Sequence, residues 1–334
     1  MSNSKMHFQH FSSYLDTETS VLTLLGRDEQ GSVAIHTNFK PTLVCGSDPR
    51  YLFEMRDTKR IVSIQSIRGN DITKWGQRLF YKIVFKDVIS FYMLRKKIRD
   101  RVELFNTQVP LETQWFLNKR IRQCSTFEIS PIHYNGRLTH CEREYFLPET
   151  AFICTVDKYI EPVVLSYDLE CLSTDGGFPD AVKDPIICIG CWEGTSGVCF
   201  CWKDTPDHRS FNTERQMIQA FLKYVQELSP DFLTGYNIDR FDNTYLEERC
   251  KQLNISWKWS RIRGYVSKVR HVTSSSNQKG TQEQYRLDMP GVVAVDAYVL
   301  MRGQHNLARY SLEAVAQQFL GTGKDDMPYD QIPI

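Results

Sequence analysis

The sequence lacks the features that mark membrane and secreted proteins. No run of about 18 apolar residues occurs, which excludes a membrane-spanning helix on length. The start of the chain has no apolar segment of the kind found in a signal peptide. The net charge is only +1, so any nucleic-acid surface has to come from local clusters of basic residues. We therefore expect an intracellular protein without a membrane partner.

The ten cysteines are not arranged like the disulfide framework of a small secreted protein, because the chain is long and many of them lie in strand-like segments. Four residues of the first part of the chain could bind zinc by their chemistry: Cys124, His133, His140 and Cys141. No CxxC pair occurs among them, which disfavours a zinc site. Cys188, Cys191, Cys199 and Cys201 have C-x2-C and C-x-C spacing that invites a zinc interpretation. A β-hairpin explains the same four as small apolar residues along two strands, and we favour the hairpin.

The length of 334 residues is sufficient for two domains with separate cores. Hydrophobic residues make up 41% and charged residues 24% of the chain, as in globular proteins. Residues 1–153 contain short apolar segments separated by turn residues, which predict a β-rich domain. The predicted strands are Ser20–Leu25, Ser32–His36, Thr42–Cys45, Ile61–Ile67 and Leu79–Phe85.

One helix is predicted in this first domain, from about Val88 to Leu104. We expect its apolar side to contain Ile89, Tyr92, Met93 and Leu104. Its other side is basic and carries Arg95, Lys96, Lys97, Arg99 and Arg101. Such a face can bind the phosphates of DNA, but a run of charges is also typical of a solvated helix face. Both interpretations stay open.

Residues 154–334 alternate longer strands with amphipathic helices, which predicts a mixed α/β sheet. Val163–Glu170 forms the first predicted strand, and Pro185–Trp192 with Val198–Trp202 forms a predicted hairpin. A helix with a capping box follows. Its apolar stripe predicts a face packed on the core and contains Met217, Ile218, Phe221, Leu222, Val225 and Leu228.

The first strand of this second domain ends in two carboxylates, Asp168 and Glu170. Residues two apart in a strand point to the same face, where like charges repel unless a cation or a proton intervenes. The pair is therefore either a divalent-metal site at a sheet edge or a solvated strand end. Asp242 follows the predicted strand Asp231–Tyr236 and begins a helix. It is either a helix N-cap or a third ligand, since such connections point to the ligand-binding edge of α/β sheets.

The segment Ile255–His271 interleaves aromatic and basic side chains. Aromatic rings stack on bases while cations meet phosphates, so the composition suits single-stranded DNA. We predict Trp257 and Arg263 as DNA-binding residues; the alternative is an edge strand with a solvated face. Further predicted elements are a polar hairpin tip over Thr273–Thr281, a strand over Val292–Leu300 and a helix over Ser311–Leu320.

Two segments, Ser166–Cys171 (SYDLEC) and Gly235–Asp242 (GYNIDRFD), together resemble the first two exonuclease motifs of family B DNA polymerases. Asp175–Pro179 resembles the family's loop after the first motif, where an aromatic residue touches single-stranded DNA. Other segments resemble the strand and helix after the family's β-hairpin and the start of its next segment; they are Asp296–Tyr298, Tyr310–Gly321 and Lys324–Ile334. The resemblance is dense over 154–334 and only positional before it. A polymerase of a large double-stranded DNA virus is the nearest kind.

The resemblance implies a ribonuclease-H-like (DnaQ-like) exonuclease domain over 154–334, preceded by a β-rich N-terminal domain over 1–153. In that family the domain removes mispaired nucleotides from the 3′ end of DNA with two divalent metal ions, Mg²⁺ or Mn²⁺. The implied catalytic metal ligands are Asp168, Glu170 and Asp242. Further implied DNA contacts are Phe178, Asn237 and Phe241.

Two parts of the family pattern are not found. No Tyr followed four residues later by Asp occurs between Leu320 and Ile334, and the paired aspartates of a polymerase site are not found. We therefore expect the N-terminal and proofreading part of a replicative polymerase, with an incomplete exonuclease site and impaired hydrolysis. The alternative is a non-catalytic single-stranded-DNA-binding module with the same fold. Expected partners are a 3′ DNA end, a primer–template, the missing polymerase domain and a processivity factor, in the nucleus or, for a virus, at a cytoplasmic replication site.

Overall fold

The computed structural model of the protein describes residues 5–71, 76–202, 209–276 and 280–323. The chain divides into two compact units, the first with residues up to Gly136 and Glu142–Ile160, the second with Arg137–Cys141 and the residues from Glu161 onward. This division lies beyond the sequence-based boundary at 153/154, because Ile153–Val156 pairs within the main sheet of the first unit. No helix in these described ranges is long and apolar enough to cross a membrane.

The first unit contains two β-sheets, as its turn-rich sequence predicts. Its strands are β1 (Met6–Asp16), β2 (Val21–Asp28), β3 (Gly31–Asn38), β4 (Thr42–Cys45), β5 (Ile61–Asp71), β6 (Gly76–Phe85), β7 (Leu104–Phe105), β8 (Thr126–Ile129), β9 (Ile132–His133), β10 (Arg143–Phe146) and β11 (Ile153–Val156). Its helices are α1 (Met55–Thr58), α2 (Val88–Ile98) and α3 (Leu111–Lys119). The seven-stranded sheet has the order β11-β8-β1-β2-β3-β10-β9, and the four-stranded sheet has the order β5-β6-β4-β7. All five predicted strands are present.

Helix α2 differs from its prediction in length and in its buried face. It ends at Ile98, and Leu104 lies in the short strand β7. The buried apolar residues are Val88, Phe91, Leu94 and Ile98, whereas Ile89, Tyr92 and Met93 are about half exposed. The predicted face is wrong because the helix has two apolar stripes one residue apart, both with helical spacing, and the core is in contact with the other one.

The second unit is built on a mixed six-stranded sheet. Its strands are β12 (Val164–Cys171), β13 (Ile186–Trp192), β14 (Gly197–Trp202), β15 (Arg209–Phe211), β16 (Phe232–Gly235), β17 (Lys268–Ser276), β18 (Gly280–Asp288) and β19 (Val293–Asp296). Its helices are α4 (Glu214–Leu228), α5 (Asp242–Gln252), α6 (Ala297–Gln304) and α7 (Leu312–Leu320). The sheet order is β15-β14-β13-β12-β16-β19, and β17 pairs with β18 as a separate hairpin. Strand β12 is antiparallel to β13 and parallel to β16, so the predicted mixed sheet is confirmed.

One face of β12 lies in the core of this unit. Leu165, Tyr167 and Leu169 are buried there, in the same apolar cluster as the α4 residues Met217 and Phe221. The predicted stripe of α4 is therefore confirmed over its buried part, and Thr213 caps the helix by accepting a hydrogen bond from the Gln216 amide. Because side chains alternate along a strand, Ser166, Asp168 and Glu170 point to the opposite face.

Toward the end of the described chain, the structure confirms a predicted helix and a predicted hairpin and corrects a predicted strand. The strand predicted over Val292–Leu300 is wrong beyond Asp296, because the Asp296 carboxylate accepts a hydrogen bond from the Tyr298 amide and caps α6. The helix predicted over Ser311–Leu320 is confirmed, with Ser311 as its N-cap. The hairpin is confirmed by β17 and β18, but the tip predicted over Thr273–Thr281 is too long, because Thr273–Ser276 pairs with Gly280–Glu283. Residues 277–279 and the segment Lys324–Ile334 lie outside the described residues.

Candidate active site

The carboxylates of β12 lie side by side on the face of the strand that does not pack in the core. Asp168 is exposed and Glu170 is half-buried, while Tyr167 before them and Leu169 between them are buried. The strand alternation thus places the two acids on one face, as the sequence predicts. Their metal-binding role stays a prediction.

Asp242 connects the start of α5 to β12. Its side chain is 1% exposed, and its Oδ1 accepts a hydrogen bond from the Leu169 amide at 3.0 Å. The helix N-cap is Phe241, with no side-chain capping bond. The N-cap interpretation of Asp242 is therefore wrong, because its carboxylate bonds to the neighbouring strand between the two acids of β12.

The pKa of Asp242 is raised by its surroundings. Burial, the negative charge of Asp168 and a hydrogen bond to the Asp168 carboxyl raise the pKa of Asp242 to about 7, against opposing backbone hydrogen bonds. A buried carboxyl group next to a second carboxylate favours sharing a proton or binding a cation. Carboxylate oxygens are the ligands that Mg²⁺ and Mn²⁺ prefer, so the donor set fits a hard divalent ion.

The three acids are not yet gathered into one tight cluster. We compared the distances between donor atoms of potential metal ligands in the described part of the chain. Only one set of three such residues in this part has all its donor atoms within 4.8 Å of one another: Cys188, Cys199 and Cys201. The carboxylates of Asp168, Glu170 and Asp242 lie farther apart as a trio. Asp168 and Asp242 therefore form the paired part of the candidate site.

The loop between β16 and α5 is held by Asp296. The backbone amide of Asn237, at a left-handed φ of 65°, donates to Asp296 Oδ1 at 2.8 Å, and the Asp239 amide donates to Oδ2 at 3.2 Å. Burial and the negative charge of Asp296 raise the pKa of Asp239 to about 6. Asp296 thus positions the backbone of this loop. The DNA contact of the Asn237 side chain stays a prediction.

Close packing at Gly235 brings this loop against β12. A Cβ at Gly235 would lie 2.6 Å from the Tyr167 carbonyl oxygen and 2.3 Å from Ile238 Cγ2, so no larger residue fits without displacement. The Tyr167 hydroxyl donates to Asn243 Oδ1 at 2.6 Å and joins the core face of β12 to α5. Sequence analysis did not identify Asn243, because nothing in a short polar helix start signals a partner in the strand.

The exposed ring of Phe178 contacts the partly buried ring of Phe241. Phe178 is 83% exposed, and its ring centroid lies 5.4 Å from that of Phe241 in an edge-to-face arrangement. The buried Asp184 orders the loop of Phe178 by accepting hydrogen bonds from the amides of Thr174 and Asp180, and these bonds lower its pKa. Asp184 was not identified from the sequence, although an acid that closes a polar loop is common turn chemistry.

The prediction for Trp257 is wrong. Trp257 and Trp259 are each 2% exposed and pack against each other at a ring-centroid distance of 5.0 Å. Trp259 also contacts Phe221 of α4. Because these indoles fill the core, they are not available to stack on bases. Arg263 is exposed and its Nε donates to the Thr139 carbonyl at 2.7 Å, so only its DNA contact stays a prediction.

The basic side of α2 is partly neutralised. Lys97 forms ion pairs with Asp57 and Glu54. Other basic residues line an open cleft of about 820 Å³, which also contains two acids; its charged residues are Arg95, Lys96, Arg99, Asp100 and Glu103. Phosphate binding and a solvated face both remain compatible with this arrangement.

Comparison with known proteins adds independent information. Residues 102–315 match the family model for the exonuclease domain of DNA polymerase family B. The DNA polymerase delta catalytic subunit of Plasmodium falciparum is 33% identical over 315 residues, which is 81% of this chain and 28% of that protein. The Schizosaccharomyces pombe subunit is 32% identical over 223 residues, with 60% and 20% covered. A DNA polymerase of Invertebrate iridescent virus 6 is 30% identical over 227 residues, with 59% and 18% covered.

The fold has a relative among solved structures. The family B DNA polymerase of the archaeon Pyrobaculum calidifontis aligns with a TM-score of 0.72 and 19% identity, covering 94% of this chain and 39% of that one. At this identity the similarity is informative about the fold, and it confirms a ribonuclease-H-like α/β domain preceded by a β-rich one. The chain spans between about a fifth and just over a quarter of the length of the relatives described above.

Proposed function

Because this chain belongs to DNA polymerase family B, we propose that its second unit removes nucleotides from the 3′ end of single-stranded DNA, as the proofreading part of a replicative polymerase. The observation that carries the proposal is the contact between Asp168 at the end of β12 and the buried Asp242 of α5. A buried carboxyl group beside a second carboxylate is unfavourable in a purely structural role. It suits a site that binds cations.

The proposed ligands of divalent metal ions, Mg²⁺ or Mn²⁺, are Asp168, Glu170 and Asp242. Held by these residues, two such ions would supply activation of a water molecule and stabilisation of the leaving oxygen of the phosphodiester. The contribution of the chain itself is orientation: the Leu169 amide fixes Asp242 Oδ1, and the Asp296 carboxylate fixes the backbone of the neighbouring loop.

The DNA end is proposed to bind beside these acids. Phe178 is exposed enough to stack on a terminal base, and Phe241 supports its ring. Asn237 is half-buried in the same loop as Asp239 and is proposed to contact the strand. Arg263 is proposed as a phosphate contact, since its side chain is exposed.

The strength of this activity depends on the number of acidic ligands. A Tyr-x3-Asp segment does not occur between residues 321 and 334, and loss of a ligand weakens metal binding and catalysis. We propose that the three acids of this chain support only weak hydrolysis. Primer extension is assigned to none of its residues.

The first unit is proposed as the N-terminal domain of such a polymerase. The relatives are named DNA polymerases, and for the protein that contains this chain we propose a role in DNA replication, in the nucleus or at a viral replication site. A primer–template, a polymerase domain and a processivity factor are its proposed partners.

A nuclease assay tests the proposal. A single-stranded oligonucleotide labelled at its 5′ end should be shortened stepwise from the 3′ end in Mg²⁺ or Mn²⁺, and EDTA should stop the reaction. Asp168→Asn combined with Asp242→Asn should abolish it. Asp175→Asn is the matched control, because Asp175 is an exposed acid in the adjacent loop. Undiminished shortening by the double variant would contradict the assignment of the site.

A non-catalytic DNA-binding module is the second candidate, and three exposed basic residues favour it: Lys258 and Arg263 between α5 and β17, and Lys268 at the start of β17. It predicts DNA binding that falls with salt and is insensitive to EDTA. Arg263→Ala should weaken such binding, while the nuclease assay above should show no shortening with either metal.

A further inference from the structure

Three cysteine side chains meet on the β13–β14 hairpin. Cys188 lies directly opposite Cys201, and Cys199 lies opposite Gly190. Residues opposite each other in an antiparallel pair share a face, so all three thiols point to the face that also carries Asp168 and Glu170. Cys191 points the other way and is buried in the core cluster. The strand alternation therefore separates one cysteine of the C-x2-C and C-x-C pattern from the other three.

The three sulfur atoms form a compact triangle. Cys188 Sγ lies 2.9 Å from Cys199 Sγ, and Cys201 Sγ lies 3.5 Å from each of them. Cys201 is 8% exposed, while Cys188 and Cys199 are half-buried. No other set of three potential ligand residues in the described ranges has all its donor atoms within 4.8 Å of one another. Alternating apolar packing alone does not require three thiols to converge on one point.

The geometry is close to that of a thiolate-bound metal. Zinc–sulfur bonds of about 2.3 Å at tetrahedral angles place sulfur atoms about 3.8 Å apart. To bind zinc, the two sulfur–sulfur distances of 3.5 Å would have to increase only slightly, and the Cys188–Cys199 distance of 2.9 Å would have to increase by about 0.9 Å. A disulfide between Cys188 and Cys199 would use two of the sulfurs and would not explain the position of the third.

Space for a fourth ligand exists beside the triangle. Gly190 is on the same face as Cys199, and a Cβ added to it would meet no atom within 4 Å. Water or another small ligand can therefore approach from this side. Soft thiolates select thiophilic ions, whereas the carboxylates of β12 suit hard ones, so the two sets of ligands on one sheet face differ in the metals they prefer.

We propose that Cys188, Cys199 and Cys201 bind one thiophilic metal ion, with Zn²⁺ as the physiological candidate, through three thiolates and one position open to solvent. Such an ion cross-links β13 to β14. Since β13 pairs directly with β12, and Cys188 lies opposite Glu170, the ion braces the strand next to the carboxylates without being one of the hard ions they hold.

Cadmium is the probe that tests this site, because its thiolate complexes have an ultraviolet charge-transfer band that carboxylates do not produce. The reduced full chain should bind one Cd²⁺ with this band, and excess Zn²⁺ should displace it. Cys188→Ser, Cys199→Ser and Cys201→Ser should each weaken binding by more than the roughly 10–100-fold lost with an outer-shell partner. Circular dichroism without metal should show that these variants fold.

Two variants control for cysteines elsewhere. Cys191→Ala changes the same hairpin on its core face, and Cys124→Ser removes an exposed thiol in the first unit; both should retain the band. The proposal is overturned by the absence of a one-to-one band, by equal loss in Cys191→Ala, or by a Cys188–Cys199 disulfide in peptide maps of protein isolated without oxidant. The carboxylates play no part in this readout, so its failure is distinguishable from failure of the proposed nuclease.

Discussion

Replacing Asp242 with Asn should stabilise the metal-free protein at alkaline pH while it removes nuclease activity. Asp242 is buried, and burial together with the negative charge of Asp168 raises its pKa from an ordinary value of 3.8 to about 7. Asn keeps an oxygen that can accept the hydrogen bond from the Leu169 amide. The substitution therefore removes the unfavourable charge and leaves the contact between α5 and β12 in place.

The sign and size follow from the linkage between ionisation and folding. A carboxyl whose pKa is higher in the folded state stabilises the fold below pH 3.8, and this contribution is lost as the pH rises through about 7. The full loss corresponds to about 4 kcal/mol at 1.36 kcal/mol for each pKa unit. Because Asp168 shares the repulsion and can move, we expect Asp242→Asn to gain between about 1 and 4 kcal/mol near pH 8.5 and little near pH 4.

Hydrogen exchange measures this effect in the second unit separately from the first. Peptides from α4 and β16 should be protected more strongly in Asp242→Asn than in the unmodified chain near pH 8.5 with EDTA, after correction for the intrinsic exchange rate. Asp184→Asn is a control of opposite sign, because the pKa of Asp184 is lowered by its hydrogen bonds and its ionised form stabilises the fold. If Asp242→Asn were less protected at alkaline pH, the repulsion we infer would not exist.

Three further perturbations have defined outcomes. Phe178→Ala should leave thermal unfolding unchanged, because the ring is 83% exposed, and should weaken binding of single-stranded DNA by about 1–3 kcal/mol in a titration. Gly235→Ala should lower stability by roughly 1–3 kcal/mol in urea unfolding, since its Cβ would meet the Tyr167 carbonyl at 2.6 Å. Glu214→Ala should cost about 3–5 kcal/mol in the same assay, because it leaves the buried Arg249 without its carboxylate; unchanged unfolding in either variant would contradict the packing described.

Strand alternation explains why part of the fold was predictable. The five predicted strands of the first unit are all present, and their apolar segments are flanked by turn residues. Strand β1 was not predicted, because a bulge between His10 and Ser12 shifts its alternation and polar His10 occupies a buried position. A bulge of this kind interrupts the alternation of apolar and polar residues by which a strand is recognised in a sequence.

Burial of mixed segments was harder to predict than secondary structure. In α2 two apolar stripes compete, and only tertiary packing selects Phe91 over Tyr92. In the segment after α5 the aromatic residues alternate with basic ones, a pattern that suits DNA binding or an edge strand equally. The structure instead packs Trp257 and Trp259 into the core and leaves Lys258 between them exposed. The tryptophan side of this segment is buried because Trp259 packs against Phe221 of α4, a residue that is distant in the sequence.

The candidate site combines a backbone held by hydrogen bonds with two carboxyl groups that repel each other. Asp296 holds the amides of Asn237 and Asp239, and the Leu169 amide holds Asp242, so the loop and helix start are ordered by hydrogen bonds within the chain. These hydrogen bonds do not relieve the repulsion between Asp168 and Asp242, because they keep the two acids close together on β12 and α5. A bound cation would replace the shared proton without rebuilding the backbone. The same two acids that are unfavourable side by side are therefore the ones we propose as ligands of a hard divalent ion.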